Sequence, residues 1–229
     1  MIEEPPVLTV KRAFARPRSE QLEAIASATT GWVIDAQQGR AGLGPEIKPV
    51  LAEAARCHGT IVTCWCGPND NLAIFGALAV ARAGDVIVAA TEGFRHSGIC
   101  GDLLAGMMRN KGIAGFVTDG HVRDLADLRG VGLPVFAAGI NPDSCVKSGP
   151  GTVGLPVVIG GRTVCSGDLL LADEDGVATV PLATADDVLE RLAAVREAEA
   201  SLLARVRSGL QLPESIEALM ASERVRHID

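Results

Sequence analysis

Between Gly59 and Ala138 the chain repeats one unit: a short aliphatic run, a turn, then a stretch of helical spacing. Gly59 to Cys66 reads as a strand rich in β-branched residues, Gly67-Pro68-Asn69-Asp70-Asn71 as a turn, and Leu72 to about Arg82 as a helix. The unit then recurs. Asp85 to Ala90 reads as a buried strand, Asp102 to Arg109 as a helix closed by Lys111-Gly112, and Ile113 to Thr118 as a strand. Asp124 to Leu128 is a short helix and Pro134 to Ala138 a further strand. This β-α-β-α-β rhythm implies a parallel or mixed sheet with helices outside it.

The flanking stretches fill in the frame. Ser19 to Ala28 favours a helix and Trp32 to Ala36 a second short element. The run Gly39-Arg40-Ala41-Gly42-Leu43-Gly44-Pro45 reads as flexible, and no strand–turn–helix pattern frames it as a nucleotide fingerprint. Pro156 to Ile159 and Arg162 to Val164 flank Gly160-Gly161 as a hairpin. Asp168 to Ala172 and Val177 to Val180 make a second hairpin around Asp173-Glu174-Asp175-Gly176. Thr184-Ala185-Asp186-Asp187 combines a capping hydroxyl with acids that suit the positive end of a helix, which runs to about Arg207 and stops at Gly209. The tail from Leu210 to Asp229 is expected to be partly helical. No linker-like segment intervenes, so residues 1–229 are expected to form one α/β domain, with 184–229 a helical extension for subunit packing.

Composition removes several classes of function. Aromatic residues are 3% of the chain and tyrosine is absent, so few rings can stack on bases or sugars. A net charge of −7 without a Lys/Arg cluster argues against nucleic acid as a partner. No uninterrupted apolar stretch is long enough to span a membrane, and Met1-Ile2-Glu3-Glu4-Pro5-Pro6 lacks the apolar core of a signal peptide, so a cytoplasmic location is expected. The six cysteines, Cys57, Cys64, Cys66, Cys100, Cys145 and Cys165, are then expected to be reduced. Cys64 and Cys66 share a strand face, but no second Cys/His pair at zinc spacing accompanies them.

Two loop–helix junctions carry the chemistry. At Gly98-Ile99-Cys100-Gly101-Asp102-Leu103-Leu104 a glycine admits close approach of a ligand, and the free N–H groups of the following helix suit a carboxylate or phosphate. The alternative is a plain tight turn with Asp102 as a cap. The second junction, Asp119-Gly120-His121-Val122-Arg123-Asp124, follows a buried strand, at the end where open α/β sheets bind ligands. Arg123 can grip a carboxylate or an oxyanion and Asp124 can bind a hard divalent cation; the alternative is a helix N-cap beside a surface ion pair. A third feature lies on the long C-terminal helix. Val188, Leu192, Val195, Leu202, Leu203 and Val206 form an apolar stripe with Glu199 in its middle. A carboxylate there needs a cation, hydrogen bonds, an Arg across a subunit contact, or exposure.

Taken in order, these segments resemble the RraA-like family, named after the regulator of ribonuclease E activity A, and within it the branch of 4-hydroxy-4-methyl-2-oxoglutarate/4-carboxy-4-hydroxy-2-oxoadipate aldolases. The resemblance runs from about Trp32 to the end. It is carried by Gly59-Thr60-Ile61-Val62-Thr63, Pro68-Asn69-Asp70-Asn71, Arg82-Ala83-Gly84-Asp85-Val86 and the two junctions. Gly167-Asp168, Asp173-Glu174-Asp175-Gly176-Val177 and the ending Arg226-His227-Ile228-Asp229 complete it. The resemblance implies an α-β-β-α sandwich with mixed sheets and a long C-terminal helix, assembled as a homotrimer or homohexamer. It implies that the backbone amides of Gly101, Asp102, Leu103 and Leu104, with Arg123, hold a pyruvate moiety. It further implies that Asp124 binds Mg²⁺ or Mn²⁺, that Asp102 orients a water, and that Glu199 of an adjacent subunit completes the metal shell.

The activity so implied is a divalent-metal-dependent retro-aldol cleavage of a 4-hydroxy-2-oxo acid to pyruvate, with oxaloacetate decarboxylation beside it. The rival reading is a non-catalytic regulator that binds a ribonuclease or another protein. A binding protein for a small carboxylate, without turnover, is a further one. His121 and the Phe94-Arg95-His96 loop depart from the family pattern, and that loop is expected near the distal part of the substrate.

Overall fold

The computed structural model describes residues 6–228. Met1 to Pro5, where the sequence was read for the apolar core of a signal peptide, and the final Asp229 lie outside the described residues. Strand β1 (Leu8–Val10) is followed by helices α1 (Ser19–Ala26) and α2 (Thr30–Asp35) and by the short strand β2 (Lys48–Pro49). The repeating unit then appears in its expected order: β3 (Cys57–Trp65), α3 (Leu72–Val80), β4 (Asp85–Ala90), β5 (Gly98–Cys100), α4 (Asp102–Asn110), β6 (Gly115–Thr118), β7 (His121–Val122), α5 (Leu125–Val131), β8 (Val135–Ala137) and β9 (Gly139–Ile140). β10 (Gly151–Val153) leads into the hairpins β11 (Val157–Ile159) with β12 (Arg162–Val164), and β13 (Leu169–Asp173) with β14 (Gly176–Val180). Helices α6 (Ala185–Arg207) and α7 (Glu214–Met220) close the chain.

The principal sheet has nine strands, and β3, β4, β6 and β8 run parallel in its middle. The other edge of β3 is shared, with β13 pairing antiparallel to its first half and β10 to its end. Every residue of β4 is buried. Ile87 and Ala89 face one apolar cluster, which includes Ile74 of α3, Leu104 and Met108 of α4 and Leu128 of α5. Val86, Val88 and Ala90 face the other, which includes Val157 and Val164 of one hairpin and Leu170 of the other. Burial on both faces explains why this strand reads as a continuous apolar run. The fold is the expected α/β arrangement of mixed sheets with a long C-terminal helix.

Two local readings are corrected. The Gly39–Pro45 run is not loose: Leu43 N donates to Val177 O (2.9 Å), Thr179 N to Ala41 O (3.2 Å), and Ala41 is buried. Gly160, in the β11–β12 turn, lets the segment lie against the body, since a Cβ there would meet Gly44 N at 2.2 Å. Thr184 does not cap α6, because its hydroxyl donates back to Pro181 O (3.3 Å) within a preceding 3₁₀ turn. Asp186 instead ties the start of α6 to α1, accepting from Arg18 (2.6 Å) and Gln21 (2.9 Å).

The molecule falls into two compact units, one ending at Leu192 and the other beginning at Ala193. The division lies inside α6. In the first unit Val188 and Leu192 of the stripe are buried; in the second, Leu202, Leu203 and Val206 are exposed, and Glu199 with them. All six cysteines are free thiols. Among the described residues no helix is long and apolar enough to cross a membrane.

Candidate active site

The chain leaving β4, β6 and β8 does not turn straight into helices. It first forms β5, β7 and β9, a second sheet of three parallel strands beyond the carboxyl ends of the first. This small sheet places the two junctions side by side. Arg123 N donates to Cys100 O (2.9 Å), so the residue after β7 is bonded to the end of β5. From there Gly101 opens α4 and Asp124 precedes α5.

A cavity of about 260 Å³ lies at this point. Gly101, Asp102, Leu103, Leu104, Arg123 and Asp124 all line it, together with Asn71, Phe75, Ser144, Cys145 and Lys147. The junctions touch. A Cβ built on Gly101 would meet Asp124 Oδ2 at 2.1 Å and Arg123 Cγ at 3.2 Å, so only glycine leaves room for the carboxylate. The N–H groups of the first turn of α4 have no intrahelical acceptor and belong to the same pocket wall.

Asp124 stands at the N-cap position of α5 that the sequence allowed, but its side chain does not cap the helix. Its backbone sits in the left-handed region at φ 60° and ψ 43°. A non-glycine residue there is strained, and such strain concentrates at functional sites. The strained backbone turns the carboxylate toward Gly101 and Arg123 rather than toward the N–H groups of α5. Arg123 Nε donates to Asp124 Oδ2 (3.2 Å) and Arg123 Nη1 to Ser144 Oγ (2.5 Å). Both side chains are about one-third exposed, at 36% and 33%, so the pair remains open to a ligand.

Asp102 heads α4, half-buried at the pocket wall. Asp102 and Asp124 are oxygen donors, the set that Mg²⁺ or Mn²⁺ prefers, and the space a Cβ would fill at Gly101 is where Asp124 presents its oxygen. These residues therefore fit a hard divalent cation, which keeps several waters when few carboxylates reach it. Among the described residues no group of three or more His, Cys, Asp or Glu could complete a shell within one chain.

The Phe94-Arg95-His96 loop does not line the cavity. Phe94 and His96 stack edge to face at 5.4 Å, and Arg95 lies 3.6 Å from Glu46. His121 sits beside Gly139, with its Nδ1 buried and unpartnered, and burial together with Arg95 holds its pKa below the ordinary histidine value. In place of that loop, Ser144, Cys145 and Lys147 form the second wall. Sequence reasoning missed them, although Lys147 is the one basic residue between Arg129 and Arg162.

Residues 26–179 match the family model described as "RraA-like: Aldolase/RraA". The chain belongs to the RraA-like family. A relative from Halalkalibacterium halodurans, named "Putative 4-hydroxy-4-methyl-2-oxoglutarate aldolase", is 36% identical over 162 residues, covering 71% of this chain and 77% of that protein. The RNA-processing inhibitor RraA from Thermus thermophilis superimposes with a TM-score of 0.62 at 32% identity, over 68% of this chain and 93% of the other. Streptomyces coelicolor RraAS2, described as an unusual member of the RNase ES inhibitor RraA protein family, gives 0.72 at 26% identity, over 84% and 100%. This RraA-like chain is thus similar both to a protein named as an aldolase and to proteins named as inhibitors of RNA processing.

Proposed function

We propose that this RraA-like protein is a carbon–carbon lyase that cleaves a 4-hydroxy-2-oxo dicarboxylic or tricarboxylic acid to pyruvate and a second 2-oxo acid. One observation carries the reading: Arg123 and Asp124 meet the start of α4 at Gly101, in one small cavity. The N–H groups of Asp102 to Leu104 and the Arg123 guanidinium are donors for the 1-carboxylate and 2-oxo oxygen of such an acid. Asp124 would hold Mg²⁺ or Mn²⁺, which when bound supplies Lewis-acid polarisation of the 2-oxo group.

Asp102, through a water, takes the proton of the 4-hydroxyl. The C3–C4 bond breaks, C4 becomes a carbonyl, and the electron pair enters a pyruvate enolate whose oxygen Arg123 stabilises. Protonation at C3 gives pyruvate. Oxaloacetate, losing carbon dioxide, reaches the same enolate and is a side substrate.

Glu199 would come from a neighbouring copy in a homotrimer or homohexamer. The exposed Leu202, Leu203 and Val206 on the same helix, with Ile216 and Met220 on α7, support a covering partner. The reduced cysteines suit the cytoplasm.

The test is pyruvate release from 4-hydroxy-4-methyl-2-oxoglutarate and from oxaloacetate. Activity is expected to vanish in EDTA and return with Mg²⁺, and borohydride with substrate should leave the protein mass unchanged. A trapped adduct on Lys147 would replace this mechanism with Schiff-base chemistry. The likeness to the Thermus inhibitor favours a second reading, a regulator that binds a ribonuclease. No metal-restored release from several branched 4-hydroxy-2-oxo acids would support that one.

A further inference from the structure

We propose that Lys147 selects substrates carrying a second carboxylate, and that Asp70 is the positioning residue that presents it. The inference rests on reading the cavity as a site for 2-oxo acids.

The cavity wall holds two cations, and they differ in what they already bind. Arg123 already donates to Asp124 and Ser144, with N–H groups left for a ligand. Among the described residues Lys147 pairs with no carboxylate; its neighbour is the Phe75 ring, 5.9 Å from Nζ, at the outer limit of a cation–π contact. Its charge nevertheless reaches the wall. Burial pushes the Cys145 thiol pKa up, and Lys147 acts against that rise.

The backbone under Lys147 is fixed while its side chain is exposed. Asp70, itself buried, accepts Ser148 N (2.6 Å) and Gly149 N (2.8 Å) on Oδ2 and Leu72 N (2.7 Å) on Oδ1. On the other side of Lys147, Val146 N donates to Asn69 O (2.9 Å) and Val146 O accepts from Asn71 N (3.1 Å). Lys147 therefore stands between two clamped residues. Its mobile ammonium can reach a negative group at the far end of a bound ligand without demanding one angle of approach.

A 2-oxo acid whose first carboxylate is held by α4 and Arg123 turns its other end toward this wall. A neutral end leaves the ammonium unpaired and partly desolvated; a carboxylate pairs it.

The experiment is calorimetric titration, in Mg²⁺-containing buffer, of the full chain with 2-oxoglutarate and with 2-oxopentanoate. These have the same carbon chain, differ by the distal carboxylate, and lack the 4-hydroxyl needed for cleavage. The wild type should bind 2-oxoglutarate about tenfold more tightly, the size of one charge-assisted hydrogen bond. Lys147→Met should erase the difference and Lys147→Arg should restore most of it. Asp70→Asn should shrink the same ratio, which loss of stability alone would not do. A wild type without the preference, or variants that weaken both ligands alike, would overturn the proposal. Preference without any pyruvate release from 4-hydroxy-4-methyl-2-oxoglutarate defeats the aldolase reading and leaves this one standing. Release without preference does the reverse, and binding of neither ligand overturns both.

Discussion

The carboxylates of the main sheet and those of the cavity are treated oppositely by the fold. Asp85, at the start of β4, receives Arg16 through both terminal nitrogens (2.7 and 2.9 Å) and the N–H of Arg82 (2.7 Å). Asp119, after β6, receives Thr91 N (2.7 Å), Thr91 Oγ1 (2.9 Å) and Gly93 N (2.9 Å). Asp168 accepts from Cys165 N (2.9 Å) and Leu182 N (3.0 Å). Each is buried with its oxygens occupied. Five residues beyond Asp119, Asp124 has one ion pair, a strained backbone and an accessible oxygen. Asp102 is likewise left to the cavity. A buried acid whose lone pairs are filled by N–H donors holds a loop in place. One that the fold leaves underfilled is available for chemistry.

This contrast can be broken by asking whether activity and stability separate. The largest effect is expected at the cavity. Arg123→Ala should lower kcat for pyruvate release on the order of a hundredfold or more while leaving the melting temperature near that of the wild type. Gly101→Ala should follow it, because its Cβ must displace Asp124 Oδ2. Steady-state assays beside thermal melts check both, and a parallel fall in stability would erase the distinction. In the sheet the reverse is expected. Arg16→Ala strands the Asp85 carboxylate, whose side chain is 3% exposed, and should cost about 3 kcal/mol in urea unfolding, with kcat per folded molecule unchanged.

The smallest effect sharpens the comparison by pH. His58, on β3 opposite Leu171, has its pKa lowered first by burial and then by the positive charge of Arg56. The unfolded chain therefore binds a proton more readily than the folded one. Stability from this group is fully present above the ordinary histidine value of about 6.5 and is lost as pH falls through it toward the lower folded value. Urea unfolding at about pH 5 and about pH 7.5 should show a larger acid loss for the wild type than for His58→Gln, by under about 1 kcal/mol. Equal losses in the two proteins would remove His58 as the cause.

Much of this is legible in the sequence. The strand at 85–90, the helix opening at Asp102 and both C-terminal hairpins stand where their patterns put them, since each depends on local spacing and on turn residues. The pairing of Arg123 and Asp124 with the Gly101 turn is legible only through the family resemblance, because a strand and its crossover separate the two junctions. Lys147 and Ser144 are not legible at all. Lys147 is held at the cavity by Asp70, whose hydrogen bonds span 78 and 79 residues of chain, and Ser144 by its bridge to Gly98. Glu199 stays a position in a stripe that is buried at Val188 and Leu192 and exposed from Leu202 on.

By itself the sequence determined the alternation of strands and helices, the largely aliphatic core and the residue types able to bind a carboxylate and a hard cation. Those follow from side-chain size, polarity and periodicity, which act over a few residues. Only the tertiary structure decided which acids would be used up in holding loops and which would face the cavity. That choice depends on which N–H groups distant segments bring within hydrogen-bond reach, and on a left-handed backbone at Asp124, a conformation that aspartate tolerates better than most residues but that local sequence does not impose.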